Sequence, residues 1–135
     1  MSDLPLTIGA LARICQGEHV QEPLVLQLLG LKAITGSSGE VRYRLMLNDG
    51  EFLHDVGILA VDTGLYPLVN EGKISQYTVV KVKKYDCKQT KDGKLCMIVL
   101  LDLEVLQDGK EVANMIGNPV TIGKDGKLPQ GDIFL

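Results

Sequence analysis

Arg42 and Arg44 stand two residues apart in Val41-Arg42-Tyr43-Arg44-Leu45. In a strand that spacing puts both guanidinium groups on one face, where a pair of planar forks can grip carboxylate or phosphate. A second cationic group follows: Lys81, Lys83, Lys84, Lys88, Lys91 and Lys94 face only Asp86 and Asp92, a local +4 in a chain whose total is −3. Catalytic chemistry has less to work with. The two histidines, His19 and His54, lack a nearby nucleophile of the Gly-x-Ser-x-Gly kind. His54 and Asp55 are strand neighbours that point to opposite faces, and a solvent-facing His54 is expected. Acids occur singly, with no HExxH, EF-hand, Walker or GxGxxG pattern, so no catalytic residue and no cofactor are expected. Cys15, Cys87 and Cys96 show no CxxC spacing. They predict three free thiols in a reducing compartment and neither a disulfide nor a metal site.

The elements that must position these groups follow from periodicity and breakers. Thr7 is a candidate N-cap for a short helix carrying Ile8, Leu11, Ile14 and Cys15, stopped by Gly17. Leu24 to Ile34 reads as an apolar strand. Val41 to Asp49 alternates cleanly, with Val41, Tyr43, Leu45 and Leu47 on one face and Arg42, Arg44, Met46 and Asn48 on the other. Asn48-Asp49-Gly50 is a hairpin turn leading into a strand over Glu51 to Leu59. A short helix over Thr63 to Asn70, capped by Asp62 or Thr63, precedes a long strand over Ile74 to Gln89. The turn Lys91-Asp92-Gly93-Lys94 leads into a strand over Leu95 to Leu106. A two-residue turn at Asp92-Gly93 sets Gln89 opposite Cys96 and Cys87 opposite Ile98, so the two cysteines are not direct partners and read as small buried apolar residues. Lys110 to Ile116 forms a further short helix. Residues 121–135 read as a loosely ordered tail or the start of a linker, after an OB-type domain over residues 1–120.

Helix, three strands, helix, two strands, helix is the layout of a mainly β, five-stranded Greek-key barrel of the OB type with short flanking helices. Its second and third strands and the loop joining the fourth and fifth line one groove. That geometry gathers Arg42, Arg44 and the lysine-rich hairpin around one cleft, with Met46, Val56 and Ile58 as an apolar floor. A solvated lysine edge that resists aggregation explains Lys81 and Lys83 as well, but not the paired arginines. At 135 residues the chain makes one domain, and 45% apolar with 23% charged residues is a globular balance. A pI of about 5.3 excludes a strongly basic nucleic-acid binder, and 4% aromatics leave few rings for base stacking. No apolar run approaches the roughly 20 residues that span a bilayer. The acidic Met1-Ser2-Asp3-Leu4-Pro5 start is not a secretory signal. A metal-free, disulfide-free monomer is expected.

Arg42-Tyr43-Arg44-Leu45, Asp49-Gly50, Pro67-Leu68-Val69, Lys91-Asp92-Gly93, Leu103-Glu104-Val105-Leu106 and Ile116-Gly117-Asn118-Pro119-Val120 resemble, in that order, the N-terminal domain of the large subunit of eukaryotic replication protein A. The resemblance runs from Leu6 to Val120. It implies a non-enzymatic OB domain of a nuclear heterotrimer that coats single-stranded DNA in replication, repair, recombination and the damage response. It also implies that the chain continues beyond Leu135, toward the two smaller subunits. In this family the domain recruits proteins: its basic cleft takes acidic amphipathic segments of checkpoint, repair and transcription factors as helices. Single-stranded DNA in the same cleft is the alternative occupant. Arg42 and Arg44 match two cleft arginines, Lys32 stands where the family often has Arg, and Lys91 matches a turn lysine. Lys88 and Lys94 extend this basic rim. Val56 and Ile58 match wall residues, and Met97 and Val99 continue the apolar floor. One extra residue before Leu103 leaves Lys94, Met97 and Val99 in either of two registers that differ in face.

Overall fold

A computed structural model describes residues 6–21, 24–37, 39, 41–59, 66–92 and 95–126. Helix α1 (Ala10–Cys15) is followed by strands β1 (Leu24–Thr35), β2 (Val41–Asn48) and β3 (Phe52–Leu59). Helix α2 (Tyr66–Asn70) leads to β4 (Val79–Gln89) and β5 (Cys96–Gln107). Helix α3 (Gly109–Val112) and strand β6 (Val120–Ile122) follow. β1 pairs antiparallel with β2 and β4, β2 with β3, β4 with β5, and β3 runs parallel to β5. These pairings close a five-stranded barrel, as expected of an OB fold. The alternation read in β2 holds in its middle, where Leu45 and Leu47 are buried with Leu26, Leu28, Ile98 and Leu100 in the barrel core and Arg42 lies outside, but not at its ends: Val41 is exposed and Asn48 is fully buried.

The hairpin register agrees with the sequence reading, with Gln89 opposite Cys96 and Cys87 opposite Ile98. Gly93 and Lys94 lie outside the described residues, as do Asp62 and Thr63, the expected caps of α2. Elsewhere the elements depart from expectation. The fourth strand begins at Val79 and not Ile74, because residues 71–77 form a turn that returns the chain to β1 through Tyr77 N–H to Leu28 C=O at 2.7 Å. Thr7 is no cap. Its hydroxyl accepts from Val25 N–H at 2.8 Å and its own N–H donates to Val25 C=O, which ties the entry segment to β1. α1 starts instead after Gly9, at φ 80°. Its free N–H at Leu11 is met from the β2–β3 turn by Asp49 Oδ2 at 2.9 Å, while Asp49 Oδ1 accepts from Glu51 and Phe52 N–H at 2.8 and 2.7 Å. Asp49 is thus a remote helix cap as well as a turn residue.

The third helix is shorter than expected, ending at Val112, and Asp108 caps it by accepting from Lys110 N–H at 3.0 Å. The segment after it is held by a buried amide pair. Gln27 Oε1 accepts from Asn48 Nδ2 and Ile116 N–H, and Gln27 Nε2 donates to Asn114 C=O at 2.8 Å. Gly109 sits so close to the 76–78 turn that an added Cβ would lie 2.0 Å from Gln76 O.

Two sequence expectations are overturned in β3 and at the C-terminal end. His54 does not face solvent; it is fully buried. A bulge sets Asp55 and Val56 together against Met46, so Gly57 pairs with Leu45 and His54 with Leu47, and both face inward. The segment after Pro119 is not loose throughout either. β6 pairs in parallel with β3, setting Ile122 beside His54 with its side chain buried, and Cys96 N–H donates to Lys124 C=O at 2.7 Å.

Candidate functional site

One cross-strand row runs over the outer face of the barrel. Lys32 on β1 is opposite Arg44 on β2, Arg44 is opposite Ile58 on β3, and Ile58 is beside Val99 on β5. Asp86 on β4 follows opposite Val99. Arg42 lies one pleat along β2, opposite Ile34, and Met97 lies one pleat along β5, opposite Lys88. Because directly paired residues share a face, the row brings a cationic end and an apolar middle together. Met97 and Val99 are half-buried on the outer face, whereas Cys96, Ile98 and Leu100 are buried inside.

The predicted residues are not all equal in this arrangement. Ile58, Met97 and Val99 offer half-exposed apolar surface, but Val56, inside the bulge, is buried and offers a partner little. Lys91 is exposed at the hairpin tip. Lys94 lies outside the described residues. Arg44 is half-buried and held: its Nε donates to Asp55 C=O at 2.9 Å, and Nη2 is 3.5 Å from Asp55 Oδ2. The bulge that turns His54 inward therefore also supplies the carbonyl and carboxylate that orient Arg44. Lys88 Nζ lies 3.9 Å from Asp86 Oδ2. The lysines further along β4 do not join the cleft as a block: Lys83 pairs with Glu104 at 3.7 Å and Lys84 stands opposite Asp102. The solvated-edge explanation does not hold for Lys81, because β4 lies between β1 and β5 and Lys81 is paired with Val25 on one side and Glu104 on the other.

Beside the row lies an open depression of ≈ 420 Å³ lined by Gly30, Lys32, Arg44, Met46, Asp55 and Lys124. Lys124 is a rim cation that the sequence reading missed. It stands in the stretch read as a loose tail, and only the β3–β6 pairing brings it to the cleft.

Among the described residues, four of the five tyrosine and phenylalanine rings are already packed. Tyr43 meets Tyr66 edge-on with ring centroids 4.8 Å apart, Tyr85 is stacked on His19, and its hydroxyl donates to Val20 C=O at 3.1 Å. Phe52 packs against the core.

A second cluster lies inside the barrel. The three cysteines, which sequence spacing kept apart, converge with His54: Cys87 Sγ is 3.4 Å from Cys96 Sγ, and the ligand atoms of Cys15, His54 and Cys96 lie within 4.8 Å of one another. Burial pushes the Cys15 and Cys96 thiols up to about 11 and Cys87 up to about 12, and it lowers His54 from its ordinary value. Left alone, these are neutral thiols beside a neutral imidazole and poor nucleophiles.

A closed five-stranded barrel with a mixed basic and apolar outer groove defines an OB-type binding module. The family model described as Replication factor-A protein 1, N-terminal domain, matches residues 6–108, and the chain belongs to that family. It is 36% identical over 115 residues to the replication protein A 70 kDa DNA-binding subunit of Gallus gallus, covering 85% of this chain and 18% of that protein. The Drosophila melanogaster protein of the same name is 35% identical over 118 residues, covering 86% and 19%. Its Mus musculus counterpart is 33% identical over 115 residues, covering 85% and 18%. The chain thus spans less than a fifth of the length of these relatives.

Proposed function

We propose that this domain is a non-enzymatic recruitment module of a nuclear replication protein A complex, acting in replication, repair, recombination and checkpoint signalling. Its outer cleft binds acidic amphipathic helices of partner proteins, and the two smaller subunits are contacted through other parts of the full-length protein. The observation that carries this reading is the Lys32–Arg44–Ile58–Val99 row. A helix with acids on one edge and apolar residues on the next can satisfy both ends of that row at once. Single-stranded DNA would use the cations but gain little from the rings, because of Tyr43, Phe52, Tyr77 and Tyr85 all but the half-buried Tyr77 are already packed.

Anisotropy titrations of an acidic amphipathic peptide and of an oligothymidine, at low and near-physiological salt, test this reading. At the higher salt the peptide should bind more tightly than the DNA. The DNA should show the steeper loss, since phosphate contacts release counterions. Replacing the peptide's apolar face by serine should weaken binding about tenfold or more, as expected when several apolar side chains lose their burial. Tighter DNA binding that persists at physiological salt would give the cleft to nucleic acid instead.

A further inference from the structure

We propose that Cys15, His54, Cys87 and Cys96 form a tetrahedral Zn²⁺ site that fastens helix α1 to the inside of the barrel. The proposal stands apart from the outer cleft and does not depend on what binds there. Among the described residues, the four come from four elements, α1, β3, β4 and β5; Cys15, His54 and Cys96 meet in the core, and half-buried Cys87 joins them through Cys96. Tetrahedral zinc with Zn–S near 2.3 Å and Zn–N near 2.0 Å sets its ligand atoms roughly 3.5–3.8 Å apart. The 4.8 Å limit on the Cys15, His54 and Cys96 ligand atoms brings those three near that geometry, and Cys87 Sγ, 3.4 Å from Cys96 Sγ, would complete it by turning toward Cys15 and His54. Three soft thiolates and one imidazole form a set that zinc accepts in structural sites.

The histidine carries the second observation. His54 Nε2 lies 2.7 Å from Cys96 C=O. A carbonyl oxygen only accepts, so Nε2 holds the proton and Nδ1 holds a lone pair. Nδ1 is buried without a hydrogen-bond partner among the described residues. A buried acceptor with no donor is costly. A metal bond to Nδ1 supplies the missing partner, and a backbone carbonyl on the opposite ring nitrogen is the usual second support of a metal-bound imidazole.

The surroundings fit a closed site with a route in. The 123–126 turn covers one side: a Cβ added to Gly126 would lie 3.0 Å from Cys96 Cβ and 3.3 Å from Cys15 Cβ, so only glycine leaves the thiols room. On another side an open cavity of ≈ 450 Å³ reaches Cys15 and Cys87 between Gly17, His19 and Tyr85. Binding would form three Zn–S bonds and one Zn–N bond, and the three thiol protons would leave to solvent. A Cys87–Cys96 disulfide is the competing use of the same atoms. The hairpin register disfavours it, because the two residues are diagonal and not opposite. Diagonal positions separate Cα atoms by roughly 7–8 Å, at or beyond the usual limit for bridging.

The test uses the chain stripped by chelator and reduced with a phosphine, titrated with Zn²⁺ and with Co²⁺ as the spectroscopic probe. One metal per chain is expected by native mass spectrometry, with the intense visible bands and sulfur charge-transfer absorption of tetrahedral cobalt thiolate. The melting temperature should rise with zinc and fall back on adding chelator. Cys87→Ser, at the half-buried edge of the cluster, should still fold. It should bind metal about tenfold or more weakly, with roughly a third of the charge-transfer intensity lost as one of three thiolate ligands goes. Three titratable thiols with no stoichiometric metal uptake would overturn the site. So would cobalt bound without thiolate absorption, or metal binding unchanged in Cys87→Ser.

Discussion

Asp49→Ala should lower the free energy of unfolding by about 3 kcal/mol or more, because it strips acceptors from three backbone N–H groups at once. The carboxylate is fully buried and reaches Leu11, Glu51 and Phe52 at 2.7–2.9 Å. Alanine removes every acceptor and leaves the donors of the turn and of the α1 N-terminus to find water. Asp49→Asn distinguishes the two roles. Its Oδ1 can keep the Glu51 and Phe52 bonds, but its NH₂ meets the Leu11 N–H donor to donor. The asparagine variant should therefore lose less stability than alanine, and the loss should concentrate in α1. Urea unfolding gives the totals, and hydrogen exchange at Leu11 against Phe52 gives the distribution. A change below about 1 kcal/mol in Asp49→Ala would mean that the turn and helix do not depend on this side chain.

Asp49 also marks the boundary of what the sequence could show. Asn48-Asp49-Gly50 was legible as a turn, since those residue types favour it locally. That the same carboxylate caps a helix 38 positions earlier was not, because a remote cap leaves no spacing signature. The strand faces in the middle of β2 were legible for the same local reason, and the Asp92-Gly93 turn fixed the pairing of Gln89 with Cys96. The inward turn of His54 was hidden. A bulge adds one residue without changing composition, and every side chain before it then changes face. That single bulge explains why Ile58 belongs to the cleft while Val56 is buried, and why Asp55 is available to Arg44. The convergence of the cysteines was hidden in a different way. The hairpin register correctly denied Cys87 and Cys96 a direct pairing, yet diagonal residues on one face are still within thiol reach. Cys15 joins them only through the docking of α1. The basic rim was legible as residue types, but Lys124 required the β3–β6 pairing to come into view.

Charge reversal at the two arginines should separate binding from folding. Arg42→Glu is expected to weaken an acidic amphipathic peptide about tenfold or more, roughly 1.4 kcal/mol, because it removes a fork donor and sets a like charge against the ligand. Arg42 is exposed on the outer face of β2, so its melting temperature should scarcely change. Arg44→Glu should weaken the same peptide at least as much, since Arg44 sits in the row between Lys32 and Ile58. It should also lower stability modestly. The new carboxylate would face Asp55 Oδ2, now 3.5 Å from Arg44 Nη2, and the donation to Asp55 C=O at the bulge would be lost. Arg44→Lys sharpens the comparison: it keeps the charge but cannot make the Nε bond together with a second, parallel contact. It should keep most of the fold stability and recover only part of the affinity. Calorimetric titration with the peptide, paired with thermal melts of each variant, reads both quantities. If Arg42→Glu unfolds the domain or leaves the peptide affinity unchanged, the outer row is not the docking surface. If Arg44→Glu lowers affinity only in proportion to the protein lost to unfolding, Arg44 is a structural partner of Asp55 and the docking role falls to Lys32, Arg42 and Lys124.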